Sequence, residues 1–268
     1  MWMPRAIWKG SLVFGLVNIP VRLYAATKDR SISFNMLHSE CHTPLKYKRW
    51  CPTCERDVGW DEIDKGYEIT KDRFISLTKE ELERLQLKTV KSIDIQKFVD
   101  LASIDSIYFN THYYLAPEEG GEKAYSLLHD ILAVTNKVAI GKVVIHNKEH
   151  VVAVRPYQKG LVMTTLHYPS EVIDIGKIEE LEKLVVVREQ ELDLAKVLID
   201  RMSGEFKPEE YVDSYRQAVM QLIKQKAEGI EVPAAKPVEA EATVDLMKAL
   251  QTSVQATKKE KKAAAPSA

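Results

Sequence analysis

The sequence predicts an α+β fold that is mainly β: a β-rich body with a small zinc-knuckle insertion, followed by a C-terminal helical arm. Three observations carry this. The runs "KVAIGKVVIH", "HVVAVRPY" and "LVMTTLHYP" follow one another across short turns, the spacing of a barrel or a sandwich. All three cysteines of the 268-residue chain fall within "HSECHTPLKYKRWCPTC", residues 38–54. From Glu189 onward apolar residues recur at helical steps.

Taken in order, "SLVFGLVNIPVRLYAAT" reads as two strands divided by Gly15 and an Asn18–Pro20 turn. After the cysteine segment, "LTKEELERLQL" reads as a short helix. Thr78 and Glu81 stand at capping-box spacing there, each side chain able to serve a free amide of the first turn. "SIDIQKFV" alternates as a strand does, and "GEKAYSLLHDILAVTN" sets Ala124, Leu128, Ile131 and Leu132 on one helical face. The three β-rich runs should turn at Asn147–Lys148 and Gln158–Gly160. "EQELDLAKVLIDRM" then aligns Leu192, Ala195, Leu198, Ile199 and Met202. Pro208 suits the first position of a second helix, with Tyr211, Tyr215, Ala218, Val219 and Leu222 as its stripe and Gly229 as its stop. "GIEVPAAKPVEAEA" is a linker by composition, and "QATKKEKKAAAPSA" is a solvated end. The expected organisation is a body over 1–178 with the knuckle at 38–54, a helical arm over 179–229, and a linker and tail over 230–268.

Composition narrows the function classes. Hydrophobic residues make up 45% and charged residues 29%, an ordinary globular balance. No apolar run approaches the ~18 residues of a membrane span. The N-terminus carries Pro4, Arg5 and Lys9 and no small-x-small cleavage site, so no signal peptide is expected. Three tightly spaced cysteines suit a metal in a reducing compartment better than a disulfide framework. The net charge is −1, yet residues 1–50 hold eight basic residues against Asp29 and Glu40, giving +6. Such asymmetry lets one face attract phosphate while the whole stays near neutral.

In the cysteine segment, His38-x2-Cys41 and Cys51-x2-Cys54 are two chelating pairs separated by nine residues. A two-residue gap lets both side chains of a pair reach one ion from a tight turn, and two such pairs close a tetrahedron. That is the geometry of structural zinc, with His38, Cys41, Cys51 and Cys54 as ligands and His42 as the rival fourth. Three reduced cysteines without metal is the plainer alternative. A filled Cys3His site has no open position for a substrate, so the metal would stiffen a basic loop carrying Lys46, Lys48 and Arg49. Lys142, Lys148 and Arg155 in the β-rich half read singly as a solvated exterior. Taken with the basic N-terminus they read as part of one phosphate-facing, DNA-binding surface. No G-x-S-x-G, P-loop or G-x-G-x-x-G occurs, and no carboxylate pair stands out, so binding rather than catalysis is expected.

Specific wording goes further. "RAIWKGSLVFGLVNIPVRLYAAT", "RWCPTC", "YYLAP", "KVAIGKVVI", "VAVRPY", "LHYPSEV" and "MSGEFKPEEYVDSYRQAVMQLIKQKAEG" resemble the bacterial Ku family in order and spacing, from about Arg5 to Gly229. The resemblance implies a Ku-type β-barrel core and a helical arm that interlocks two protomers. It implies a homodimeric ring that slides onto double-stranded DNA ends in non-homologous end joining, without enzymatic activity. It further implies a cytoplasmic, nucleoid-associated protein whose tail recruits a multifunctional DNA ligase, ligase D. In that tail "VDLMKALQTSV", residues 244–254, sets Val244, Met247, Leu250 and Val254 on one helical stripe with Leu246 beside it. At Thr111, His146 and His167 arginine is commoner in the family. The competing reading is a zinc-knuckle nucleic-acid-binding regulatory factor, which would bind circular duplex as well as linear.

Overall fold

The computed structural model describes residues 4–84, 91–146, 148–230, 249–250 and 252–253. The chain divides into two units, Met1–Asp174 and Ile175–Ala268. No helix among the described residues is long and apolar enough to cross a membrane.

The first unit is built on a closed barrel of seven strands, not a sandwich. Strands β1 (Trp8–Phe14) and β2 (Val17–Ala25) open the chain; β3 (Trp50–Cys51), β4 (Arg56–Asp57), β5 (Lys65–Thr70) and β6 (Arg73–Leu77) lie in an insertion. β7 (Ser92–Asp100), β8 (Phe109–Pro117), β9 (Lys137–Ile145), β10 (Lys148–Tyr157) and β11 (Gly160–Leu166) complete the set. The barrel order is β1-β2-β8-β11-β10-β9-β7. Every pairing is antiparallel except the closing one, where Ser11, Leu12 and Val13 of β1 lie beside Ser92, Ile93 and Asp94 of β7 in parallel.

Alternation decides which face each side chain takes. Leu12, Ile19, Val21, Leu23, Ile93, Leu115, Val143, Val152, Val154, Leu161 and Met163 point inward and form one buried cluster. Helix α2 (Glu122–Thr135) packs on β2, β9 and β10 and adds Tyr125, Leu128 and Leu132 to that cluster. The Tyr125 hydroxyl donates to the Leu115 carbonyl (2.7 Å) and accepts from the Leu161 N–H (2.7 Å), so it ties β8 to β11. Ile131, expected on the buried face, is exposed; Tyr125 takes its place one turn and a half earlier. On the outer face Val138, Ala153 and Leu166 form a smaller cluster under Ile104, Tyr108 and Phe109.

Two turn expectations need correction. The β1–β2 chain reversal is made at Gly15, whose φ of 58° favours glycine, and Asn18–Pro20 lie inside β2. Pro20 is tolerated because Ser11, its partner in β1, donates its N–H away to Lys91. The pair is therefore one of the non-hydrogen-bonded kind, and the missing N–H costs the β1–β2 ladder nothing. The β9–β10 reversal begins at His146 (φ 50°), so Lys148 already belongs to β10, where it pairs with Ile145.

The insertion joins β2 to β7. β3 and β4 form one two-stranded sheet, β5 and β6 another, and helix α1 (Lys79–Arg84) follows. The predicted capping box is present: Thr78 N–H donates to Glu81 Oε2 (2.9 Å) and Glu81 N–H to Thr78 Oγ1 (3.2 Å). No described residue between Tyr24 and Lys91 is buried.

The second unit holds α3 (Glu189–Met202) and α4 (Ser214–Ala227). Pro208 opens a single 3₁₀ turn, Pro208–Glu210, rather than the helix itself. α4 starts later, capped by Asp213, whose side chain accepts from the Arg216 N–H (2.8 Å), so Tyr211 precedes it. Gly229 (φ 76°) follows its end, as expected. Neither helix has a buried residue, and Leu192, Ile199, Met202, Tyr215 and Met220 are exposed. Of the tail stripe, Leu250 is half-buried in a helical turn; Val244, Leu246, Met247 and Val254 lie outside the described residues.

Candidate nucleic-acid interface

The inward set of β9 and β10 fixes which side chains face out. Because Val143, Val152 and Val154 enter the core, Lys142 and Arg155 stand on the outer face, and Lys142 lies opposite Val151. The exterior position expected for both therefore follows from alternation alone.

Carboxylates accompany most of these cations. Lys142 Nζ donates to Glu149 Oε1 (2.8 Å), and Lys148 Nζ to Glu171 Oε1 (3.0 Å). The hydrogen bond to Glu149 raises the Lys142 pKa, and the same bond lowers that of Glu149. Glu171 is held at about 2, first by the Tyr168 N–H and then by Lys148 and its neighbours. His167 Nδ1 lies 3.5 Å from the other Glu171 oxygen. Arg155 differs: its Nη1 donates to the Pro156 carbonyl (3.4 Å), and its guanidinium carbon lies 5.5 Å from the centre of the Tyr157 ring. At the start of the barrel, Arg22 Nε donates to Glu118 Oε1 (2.5 Å), with Lys9 Nζ 3.4 Å from the same oxygen.

The knuckle residues form two pairs. In the first turn His42 N–H donates to the His38 carbonyl (2.9 Å) and His38 N–H to the Thr43 carbonyl (3.0 Å), and His38 Nδ1 comes within 3.2 Å of Cys41 Sγ. In the second, β3 and β4 pair Cys51 with Arg56, and Glu55 (φ 51°) makes the reversal beside Cys54. The Cys54 backbone N–H and thiol lower the Cys51 pKa, while the proximity of Cys51 raises that of Cys54. Hydrogen bonding from Thr43 lowers the pKa of Cys41. Among the described residues no group of three or more His, Cys, Asp or Glu side chains is gathered into one metal-binding cluster. Each of the two pairs is formed across a tight turn.

The basic residues between them are exposed. Lys48 Nζ donates to Asp57 Oδ2 (2.9 Å), which raises its pKa, and Arg49 stacks over Trp60 with its guanidinium carbon 3.8 Å from the ring centre. Lys46 is exposed and has no ion pair among the described residues. The six expected contact residues thus lie in two groups, Lys46, Lys48 and Arg49 on the insertion and Lys142, Lys148 and Arg155 on the barrel. Sequence reasoning found these cations but missed their counter-charges Asp57, Glu149 and Glu171, and it missed the aromatic companions of Arg155 and Arg49. Only the Arg155–Tyr157 spacing, two apart on one strand, signalled a shared face.

Comparison with known proteins follows the same lines. A family model described as the "Ku70/Ku80 beta-barrel domain" matches residues 13–194. A protein of Symbiobacterium thermophilum named "Non-homologous end joining protein Ku" is 43% identical over 263 residues, 97% of this chain and 65% of that one. Proteins of the same name from Heliobacterium modesticaldum and Archaeoglobus fulgidus are 41% and 43% identical, over 98% and 95% of this chain and 96% and 100% of theirs. The chain therefore spans just under two thirds of the first relative and nearly all of the other two. Among solved structures, the SPOC domain of human PHD-finger protein 3 overlays 60% of this chain at 10% identity and a TM-score of 0.29, too remote to carry an argument.

Proposed function

The chain belongs to the Ku family, and from that premise we propose that it binds the ends of double-stranded DNA, without regard to sequence, in the repair of breaks by non-homologous end joining. The observation that carries this is the near end-to-end similarity to proteins named for that process, at 41% identity across 98% of the chain. The exposed cations support it. Arg155 and Lys142 stand on the outer face of neighbouring strands, a surface suited to the backbone contacts of sequence-independent binding, while Lys148, opposite the inward Ile145, lies at the start of β10. The protein acts by binding and by bringing a partner to the break, with no catalytic step of its own. The full-length similarity favours this over a zinc-knuckle regulatory factor.

Three finer parts belong to the same reading. The first is a homodimer closed into a ring around the duplex. Its support is the arm: α3 and α4 expose Leu192, Ile199, Met202 and Tyr215 and bury nothing, and helices of this length are marginal in water without a packed face. A second copy supplies such a face under two-fold symmetry.

The second is a structural zinc held by His38, Cys41, Cys51 and Cys54. The donor chemistry fits, since three thiols and an imidazole are what structural zinc takes, and each pair already spans a tight turn. Zinc would supply the cross-link that joins the two turns. The insertion, with no buried residue among those described, has little else to fix its loop of Lys46, Lys48 and Arg49.

The third is recruitment of the multifunctional ligase D by the tail stripe of Val244, Leu246, Met247, Leu250 and Val254. A short apolar segment of this kind folds when laid into a partner's groove.

The test of the central reading compares linear, hairpin-capped and circular duplexes of one sequence by gel shift. Linear duplex should bind tightly and circular duplex weakly. Equal binding to linear and circular DNA would refute the threaded ring.

A further inference from the structure

The outer face of the barrel carries a second feature, beside the ion pairs. Tyr24, Tyr114, Val162 and Arg155 are successive cross-strand partners on β2, β8, β11 and β10. Neighbouring strands lie about 4.8 Å apart, so this row spans roughly 14 Å. Tyr157, two residues beyond Arg155 on the same face, stacks on Tyr114 with ring centres 6.3 Å apart and planes 24° from parallel. Val162 lies in the middle of the row and is 4% exposed, while Tyr114 and Tyr157 keep 43% and 42% of their surface open to solvent. Beside Tyr114 a cleft of about 380 Å³ opens, lined by Pro4, Tyr24, Ala25, Ala26 and Tyr114.

The chemistry of this patch is specific. It offers flat π-faces, a wall of small apolar groups and one guanidinium. Arg155 has no carboxylate partner among the described residues, unlike Lys142 and Lys148. Bases inside a duplex are stacked on one another and present no face to a side chain outside. A base becomes available where a strand is unpaired, which on broken DNA means an overhang. Stacking of a base on an aromatic side chain is strong and tolerant of sequence, because every base has a π-face.

We propose that Tyr114 and Tyr157, with Tyr24 and the cleft beside them, stack an unpaired nucleobase of a single-stranded overhang while Arg155 holds the adjoining phosphate. This rests on the end-binding reading above and adds a second class of ligand to it. A proline-rich peptide also docks on aromatic faces. The uncompensated Arg155, on the barrel face that also carries Lys142, favours the anionic backbone of a nucleic acid.

The test uses the full-length protein, a blunt duplex and the same duplex with a short overhang carrying 2-aminopurine at its first unpaired position. The overhanging duplex should bind roughly 5- to 150-fold more tightly per stacked base, with 2-aminopurine fluorescence quenched on binding. Combined Tyr114→Ala and Tyr157→Ala should remove both the preference and the quenching and leave blunt-end affinity in place. Combined Tyr114→Phe and Tyr157→Phe, which keep the rings, should retain both. Equal affinity of the wild-type protein for the two duplexes, or a preference that survives the alanine pair, overturns the stacking site while the end-binding reading stands. Failure to bind either duplex overturns the end-binding reading itself. Retained overhang preference in the alanine pair, with loss of binding to a proline-rich peptide, would assign the patch to a peptide instead.

Discussion

Lys142 and Lys148 each hold a glutamate within 3.0 Å, so a phosphate that docked on either would compete with Glu149 or Glu171 for it. Removing one competitor should strengthen binding. Glu171→Gln frees Lys148, and the slope of log K against log salt should steepen by roughly 0.9 for the one phosphate gained. A salt titration on a single duplex reads this directly, and an unchanged slope would mean that Lys148 faces no phosphate. The carboxyl of Glu171 is depressed from 4.5 to about 2, so its contribution to stability is fully present above its unfolded value and is lost as pH falls through about 2. Its carboxyl resonance should therefore titrate near pH 2. The outward position of Lys142 was legible from alternation, because Val143 beside it is apolar and points inward; Lys148, opposite the inward Ile145, does not follow from it. Their glutamates were not legible, since the pairing is set by strand register and by the fold of the 169–171 turn, which periodicity does not report.

Among the elements, α2 shows both what sequence reads well and what it reads poorly. Its apolar stripe predicted Leu128 and Leu132 as buried, correctly, and set Ile131 beside them in error. The inward place belongs to Tyr125, whose hydroxyl satisfies a carbonyl and an N–H on two different strands. A polar tip on a buried ring does not register as apolar, so the stripe missed it. Tyr125→Phe should cost about 1–3 kcal/mol, because Leu161 N–H and Leu115 C=O lose their buried partner. Urea unfolding of the variant measures this. The knuckle is the reverse case. Its residue spacing was legible, and the two turns form, but whether they close on one ion depends on an atom the sequence does not contain. The purified protein should hold about one zinc per chain, and Cys51→Ser should reduce that by more than half while the barrel, whose core shares no residue with the insertion, stays folded. Metal analysis alongside circular dichroism would settle both halves. The Asn18–Pro20 segment was misread because proline commonly breaks a strand; here the β1–β2 ladder has no bond to lose at Pro20, whose carbonyl instead accepts from the Glu118 N–H.

For the whole molecule, the proposed division of work among barrel, arm and tail is testable by truncation. Truncation after Gly229 should leave DNA-end binding and dimerisation intact, since barrel and arm remain, and should abolish stimulation of end joining by the partner ligase. Replacing Met247 and Leu250 together by Asp should reproduce that loss without changing DNA affinity. Full stimulation by the truncated protein would move the recruitment surface to the folded body. At this scale β content and strand order along the chain were legible in the pattern of residues, while barrel against sandwich was settled by the resemblance to the Ku family and not by periodicity. The closing contact joins β1 to β7 across the entire insertion, and no local pattern records a parallel pairing between segments so far apart.

That parallel contact has one more consequence. Because β1 meets β7, every strand of the barrel has two neighbours, but the closing contact is short, pairing only Ser11, Leu12 and Val13 with Ser92, Ile93 and Asp94. Over Ile95–Asp100, β7 has β9 as its strand partner and no residue of β1 across from it. Among the described residues the edges open to strand addition therefore include that stretch of β7 as well as those of β3–β4 and β5–β6 in the insertion. A partner that docks on the fully paired strands of the barrel must read their side chains.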